Sequence, residues 1–276
     1  MTRGLKAHLL IIDPQNGFMD IDGAALPVPG ANDDMDRVAD LINRVGSRFE
    51  DIHVTMDSHH PVDIAHPIWW QDQDGNPPPP LVTIVSADDV DSGVWQARNL
   101  GVRDRSHEYV RTLAVGGKKQ LCVWPPHCLI GSRGHNFQEK LGQALREWEE
   151  REFATVNVLT KGSNPYTEHY GAFMAEVPDP DDPTTGLNTE RLQMLAGADI
   201  VFVAGEASSH CVMESVNQIA DNIGDEHLTK FHLLTDCMSS VAAIPNVIDF
   251  PALTEVWLKE MESRGMVLTT SVEVFA

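Results

Sequence analysis

The sequence predicts an α/β protein built on a parallel sheet with helices on both faces. Short apolar runs rich in β-branched residues recur along the chain, and stretches with apolar residues at helical spacing lie between them. Strands that alternate with helices join as parallel neighbours, because each helix carries the chain back to the start of the next strand.

Ala7–Ile12 is the first such run and Ile52–Met56 the second. Between them Met35, Val38, Leu41, Ile42 and Val45 repeat as one helical face. Phe137, Leu141, Ala144, Leu145 and Trp148 form another helical face, followed by a strand over Ala154–Leu159. Ile200–Val203 is the fourth strand, and Val212, Val216, Ile219 and Ile223 mark the helix after it. Lys230–Thr235 and Met266–Thr270 read as two more strands, on either side of a helix with Leu253, Val256, Trp257 and Met261 on its inner face. Segment 61–119 breaks the rhythm. It carries four consecutive prolines (77–80), the pair Trp69-Trp70 and the acidic run Asp88-Asp89-Val90-Asp91. Its Trp, Ile and Val content argues against disorder, and a stretch of this length is expected to be a lid, an oligomer contact or an insertion. The 276 residues suffice for one substantial core, so a single domain over 1–276 with an insertion at 61–119 is expected.

Composition narrows the function classes. A formal net charge of −21 excludes nucleic acid as a natural partner, since a phosphate backbone needs a basic surface. The bland reading of that charge is a solubilising coat. The apolar run after Met1–Lys6 is too short for a signal segment, and no later run is long enough to span a bilayer, so no membrane partner is expected. Cys122, Cys128, Cys211 and Cys237 are too few and too scattered for a disulfide framework, which points to a reducing cytoplasm.

In doubly covered parallel sheets ligands collect beyond the carboxyl ends of the strands, so the residues there carry the functional signal. Asp13 follows the first strand, in Asp13-Pro14-Gln15-Asn16-Gly17-Phe18. A half-desolvated carboxylate there can serve as a base, but Asp-Pro is also common turn chemistry. Asp57 and His59 follow the second strand; two residues apart in an extended segment, they face the same way and could share a metal with His127. Three protein ligands leave positions for water or substrate, although a chain with 12 histidines yields Asp-x-His by chance. Lys161, after the third strand, is a surface lysine or, in a crevice, a group that lowers a neighbouring thiol's pKa. Cys211 opens a helix after the small-residue turn Gly205-Glu206-Ala207-Ser208-Ser209-His210. The helix N-terminus favours a thiolate there, yet buried structural cysteines are equally common.

Together these motifs resemble the isochorismatase-like cysteine hydrolase superfamily, and its nicotinamidase branch in particular. The resemblance rests on Asp-x-Gln-Asn-x-Phe at 13–18, Asp-x-His at 57–59, Trp-Pro-Pro-His-Cys at 124–128, Lys-Gly at 161–162 and Gly-x-Ala-x-x-x-Cys at 205–211, in that order. It implies a three-layer α/β/α sandwich around a mostly parallel six-stranded sheet. It implies a catalytic triad of Asp13, Lys161 and Cys211, and an oxyanion hole from the backbone N–H groups of Ala207 and Cys211. A cis peptide would join Glu206 to Ala207. Asp57, His59 and His127 match the ligands of a divalent ion, zinc foremost, with iron or manganese as alternatives. Phe18, Trp124 and Tyr170 match the aromatic pocket around a small amide.

The implied reaction is hydrolysis of nicotinamide to nicotinate and ammonia through a cysteine thioester. The alternatives are another small amide of carbamoyl or maleamate type, or a non-catalytic binding or scaffold protein. The chain departs from compact members in several places: His60 follows His59 where Pro is usual, His66 is a further ligand candidate, Ser209 stands where Asp is common, and 61–119 is long. A homo-oligomer is within the range the family shows.

Overall fold

The structure, a computed structural model, describes residues 4–116, 118–244 and 248–276. The sequence readings that touch residues 1–3 and 117 lie, at those positions, outside the described residues. Six strands form the central sheet: β1 (Ala7–Ile12), β2 (Phe49–Asp57), β3 (Asn157–Lys161), β4 (Ile200–Gly205), β5 (Phe231–Leu234) and β6 (Val267–Thr269). Their order is β6-β5-β4-β1-β2-β3, and every neighbouring pair is parallel. The helices are α1 (Ala31–Val45), α2 (Ala87–Ser92), α3 (Arg103–Val115), α4 (Glu139–Glu152), α5 (Thr189–Ala196), α6 (Cys211–Ile223) and α7 (Phe250–Ser263).

Alternation along each strand divides the core into two layers. Leu9 and Ile11 of β1, with Ile52 and Val54 of β2, pack under Met35, Val38 and Ile42 of α1 and Leu141, Leu145 and Trp148 of α4. Leu10 and Ile12, with Val201 and Val203, face the other way onto Leu192 and Leu195 of α5, Val212, Val216 and Ile219 of α6, and Trp257 and Met261 of α7. The expected α/β/α sandwich is the observed architecture.

Three elements differ from their sequence pattern. The third strand starts at Asn157 rather than Ala154 because α4 ends in a left-handed Phe153 (φ 52). The exit turn then uses the next residues: Ala154 N–H donates to the Glu149 carbonyl at 3.2 Å and Val156 N–H to the Glu149 side chain at 2.7 Å. On α7 the buried stripe is Thr254, Trp257 and Met261, while Leu253 and Val256 face solvent. Trp257 sets this rotation by packing into the core and donating its indole N–H to Asn217 at 2.9 Å.

The third difference is segment 61–119, which is regularly folded. It holds α2, α3 and two short antiparallel pairings, Trp70–Gln71 with Gln96–Ala97 and Ile84–Val85 with Leu121–Cys122. A separate apolar cluster of Trp69, Trp70, Val90, Tyr109, Val110 and Leu113 holds it together and runs on into Trp124 and Tyr170. The spacing of Ser106, Tyr109, Val110 and Leu113 is the helical signal for α3, weakened by two polar residues on the buried face. Among the described residues no helix is long and apolar enough to cross a membrane.

Trp70 is 1% exposed and donates its indole N–H to the Ile64 carbonyl at 2.7 Å. Trp70→Ala is expected to lower unfolding free energy by about 3–5 kcal/mol in a denaturant titration. Val115→Asp, at a position 91% exposed, should stay within about 0.5 kcal/mol.

Candidate active site

Strand register brings the chemistry to one sheet edge. In the β2–β3 ladder Asp57 pairs with Lys161, and in the β1–β4 ladder Ile12 pairs with Gly205. Asp13 therefore leaves β1 beside the turn that leads to Cys211. It turns out of the strand in a left-handed conformation (φ 44) and is fully buried.

Lys161 is the centre of this arrangement and is itself 3% exposed. Its Nζ lies 2.9 Å from Asp13 Oδ2 and 3.1 Å from Asp57 Oδ1. It donates to the His169 carbonyl at 2.7 Å and lies 3.6 Å from Cys211 Sγ. Burial alone would lower its pKa, but Asp13 and Asp57 hold it well above the usual lysine range. Asp57 would likewise be raised by burial, and His59 and Lys161 keep it well below the ordinary carboxylate range. For Asp13 the balance reverses: burial raises its carboxyl despite Lys161.

The thiol departs from expectation. Lysine and helix N-terminus together would favour a thiolate, yet burial pushes Cys211 well above the usual thiol value, with Lys161 only partly opposing it. Cys211 and Asp13 are thus both buried groups raised toward their neutral forms, on either side of the Lys161 ammonium.

Cys211 is the first residue of α6, and the turn before it is fastened to the sheet. Glu206 N–H donates to the Ile12 carbonyl at 2.8 Å, Gly205 N–H to Cys237 at 3.0 Å and Ser208 N–H to Ser239 at 2.8 Å. The Glu206–Ala207 peptide is cis. Gly205 has φ 127, and a Cβ there would stand 2.1 Å from the Ile12 carbonyl oxygen, so only glycine lets the turn press against β1. His210 and Val212 N–H groups both donate to the Ala207 carbonyl, while the amides of Ala207 and Cys211 have no backbone partner among the described residues.

Asp57, His59 and His127 are all buried and offer ligand atoms within 4.8 Å of one another. His59 Nε2 lies 3.0 Å and His127 Nε2 3.4 Å from Asp57 Oδ2. The other ring nitrogens are anchored: His59 Nδ1 lies 3.1 Å from Asp63 Oδ2, and His127 Nδ1 2.8 Å from the Pro125 carbonyl. Such outer partners are what metal-binding imidazoles need to be held in orientation. This donor set suits zinc or a related divalent ion with coordination positions left open. Gly162 (φ 79) permits the approach, since a Cβ there would meet Asp57 Oδ1 at 2.7 Å. His60 is exposed and points away, as strand alternation from Asp57 requires. His66 is buried beside His59 and His127, with ring centroids 5.2 and 5.8 Å away, but lies outside the three-residue group.

Cys211, Asp57 and His127 open on one pocket, walled by Phe18, Trp124 and Tyr170. Trp124 donates its indole N–H to the Tyr170 hydroxyl at 3.1 Å, and Phe18 packs 5.4 Å from the His127 ring. Sequence reasoning missed three members of this site. Thr55, two residues before Asp57 on the same strand face, donates to Asp13 Oδ1 at 2.5 Å. Gln15 clasps the Asp57 backbone through two 2.7 Å hydrogen bonds. Glu168 is buried in the pocket wall, where burial pushes its carboxyl up to about 7. Thr55 was visible through strand alternation; nothing in the spacing marks Glu168.

No protein-family model and no curated protein sequence matches the chain. Solved structures do. A nicotinamidase/pyrazinamidase from Acinetobacter baumannii is similar with a TM-score of 0.62 at 19% identity, over 99% of this chain and 100% of that one. A Pyrococcus horikoshii pyrazinamidase in complex with zinc is similar with a TM-score of 0.55 at 19% identity, over 96% and 99% of the two chains. An isochorismatase family protein from Desulfovibrio vulgaris is similar with a TM-score of 0.53 at 17% identity, over 99% and 97%. These likenesses span essentially the whole chain, and they show that it shares the fold of these structures.

Proposed function

We propose that the protein is a metal-dependent amidohydrolase that cleaves a small aromatic carboxamide, nicotinamide foremost, through a thioester on Cys211. The observation that carries this reading is the buried Lys161 ammonium between the Asp13 carboxylate and the Cys211 sulfur, beside an aromatic pocket lined by Cys211, Asp57 and His127, with His59 against Asp57.

The chemistry follows from the resting protonation state. As Cys211 sulfur attacks the amide carbonyl, its proton passes to Asp13, so no free thiolate is needed beforehand. The carbonyl oxygen gains charge and is taken up by the N–H groups of Ala207 and Cys211. Collapse breaks the C–N bond, and Asp13 returns the proton to the departing ammonia. Water then attacks the thioester while Asp13 takes its proton, the C–S bond breaks, and the thiol is restored. Lys161 stays charged throughout and keeps Asp13 and the sulfur in register. Asp57, His59 and His127 would hold a divalent ion, zinc foremost, which supplies a Lewis acid to orient a ring nitrogen. Phe18, Trp124 and Tyr170 enclose the ring.

Segment 61–119 serves in this reading as a fixed wall rather than a lid. The Trp124 N–H donates to the Ala65 carbonyl at 2.7 Å and the Val123 N–H to Thr83 at 3.0 Å, so the insertion sets the position of the Trp124–His127 stretch.

Zinc-loaded protein is expected to release ammonia from nicotinamide and pyrazinamide and far less from aliphatic amides. Cys211→Ala should reduce kcat/KM by about 10⁴-fold or more. A preference for carbamoyl or maleamate-like amides would redirect the substrate, and no ammonia from any amide would sink the enzyme reading.

Gly162→Ala pushes on Asp57 and is expected to weaken zinc binding at least about tenfold, read by chelator competition. Asp57→Ala should lose both metal and nicotinamide activity; lost metal with full activity would refute the ring-nitrogen role.

Activity should also fall on the acid side as the Asp13 carboxylate becomes protonated and can no longer take the thiol proton. Because burial raises that carboxyl, the acid limb of kcat/KM is expected above the ordinary aspartate value of about 3.9. The alkaline limb should lie above the ordinary thiol value of about 8.5, since the thiol is raised too. A pH-rate profile with an alkaline limb below that value would contradict the neutral resting thiol.

A further inference from the structure

We propose that His8, Asp51 and His53 form a second divalent-metal site, suited to zinc, at the opposite end of β2 from the catalytic pocket. One ligand atom from each of the three residues lies within 4.8 Å of the other two, the same closeness that groups Asp57, His59 and His127. The origin is again strand geometry. Asp51 and His53 are two apart on β2 and share a face, an Asp-x-His echo of Asp57–His59. His8 on β1 pairs with Asp51 in the ladder, and the register shifts between Ala7 and His8, so Glu50 is left as the extra residue. A bulge of this kind re-aims side chains, and here it sets Asp51 opposite His8.

Each of the three residues brings one donor atom within reach of a shared ion. His53 Nε2 lies 3.1 Å from His8 Nδ1, close to the separation of two nitrogens each about 2.0–2.1 Å from a shared tetrahedral zinc. Asp51 Oδ2 lies 3.5 Å from the opposite ring nitrogen, His8 Nε2, so an ion takes one His8 nitrogen only: Nδ1 on the His53 side or Nε2 on the Asp51 side. Its other oxygen accepts a hydrogen bond from Asn157 on β3 at 3.2 Å, which orients the carboxylate. Both histidines are buried, on a face that is otherwise largely apolar, with Leu10 and Leu195 beside His53. Burial holds both imidazoles below their ordinary pKa, so each carries a free lone pair at neutral pH. The Asp51 side chain is 37% exposed, which gives an ion a path from solvent. Lys6 and Arg191 are the nearby cations, and Glu50 and Asp199 are acidic neighbours besides Asp51. The nearest ligands of the two sites, His53 and Asp57, are four residue steps and about 13 Å of strand apart, too far to share one ion. An ion here would join β1 to β2 where the sheet begins.

Chelator-stripped protein titrated with Zn²⁺ and weighed by native mass spectrometry tests the site. The wild type is expected to take two equivalents. The double variant Asp57→Ala/His59→Ala should take one, and adding His53→Gln should abolish it. Zinc should raise the thermal midpoint of the double variant but not of the triple one. One equivalent in the wild type, lost with His53→Gln and untouched by Asp57→Ala/His59→Ala, would support this site and count against the catalytic one. A double variant that takes up no zinc, or takes it up as well with His53→Gln, would overturn the proposal. His53 is buried, so Asp51→Asn provides a conservative second variant. In the Asp57→Ala/His59→Ala background it should weaken zinc binding at least about tenfold, and unchanged affinity would overturn the proposal equally.

Discussion

The contact on which the site depends is the buried ammonium of Lys161 between two carboxylates. A lone charge at this depth would be expelled or neutralised, because desolvation in the interior exceeds what one hydrogen bond returns. Asp13 at 2.9 Å, Asp57 at 3.1 Å and the His169 carbonyl at 2.7 Å together retain it. The same cation thereby links the two halves of the site. Asp13 and the Cys211 sulfur lie on one side of it, and Asp57 with His59 and His127 on the other. Removing any member leaves the rest with an uncompensated buried charge.

This placement follows from the parallel sheet. Each strand delivers one residue to the same edge, and register decides which: β2 and β3 bring Asp57 level with Lys161, while β1 and β4 bring Ile12 level with Gly205. Backbone hydrogen bonds lock these levels before any side chain acts. The turn at Gly205 presses against Ile12 without a Cβ, and α6 then begins at Cys211, whose N–H has no backbone partner among the described residues. The insertion adds the far wall by holding Trp124 and Tyr170 in its own apolar cluster.

Much of this was legible in the sequence because function sits at strand ends, and strand ends follow from short β-branched runs. Asp13, Asp57, Lys161 and Cys211 each stand at or just beyond such a run, and alternation from Asp57 selects His59 over His60. What was not legible depends on tertiary distance. Segment 61–119 hides α3 because Ser106 and Tyr109 occupy buried positions that a hydrophobic count scores as polar or ambiguous. The face of α7 is chosen by Trp257, not by the more apolar-looking Leu253 and Val256. The upward shift of the Cys211 thiol is not legible in the sequence either, since burial outweighs Lys161 and burial is not a property of local sequence. Glu168 and Asp63 were passed over for the same reason: each matters through what it faces.

The most direct test is acid quenching during turnover of nicotinamide, followed by peptide mass spectrometry. A nicotinoyl group is expected on the peptide that contains Cys211, present while ammonia is released and absent from Cys122, Cys128 and Cys237. Ammonia release under conditions where hydrolysis of the acyl group limits turnover, with no acyl group on Cys211, would contradict it.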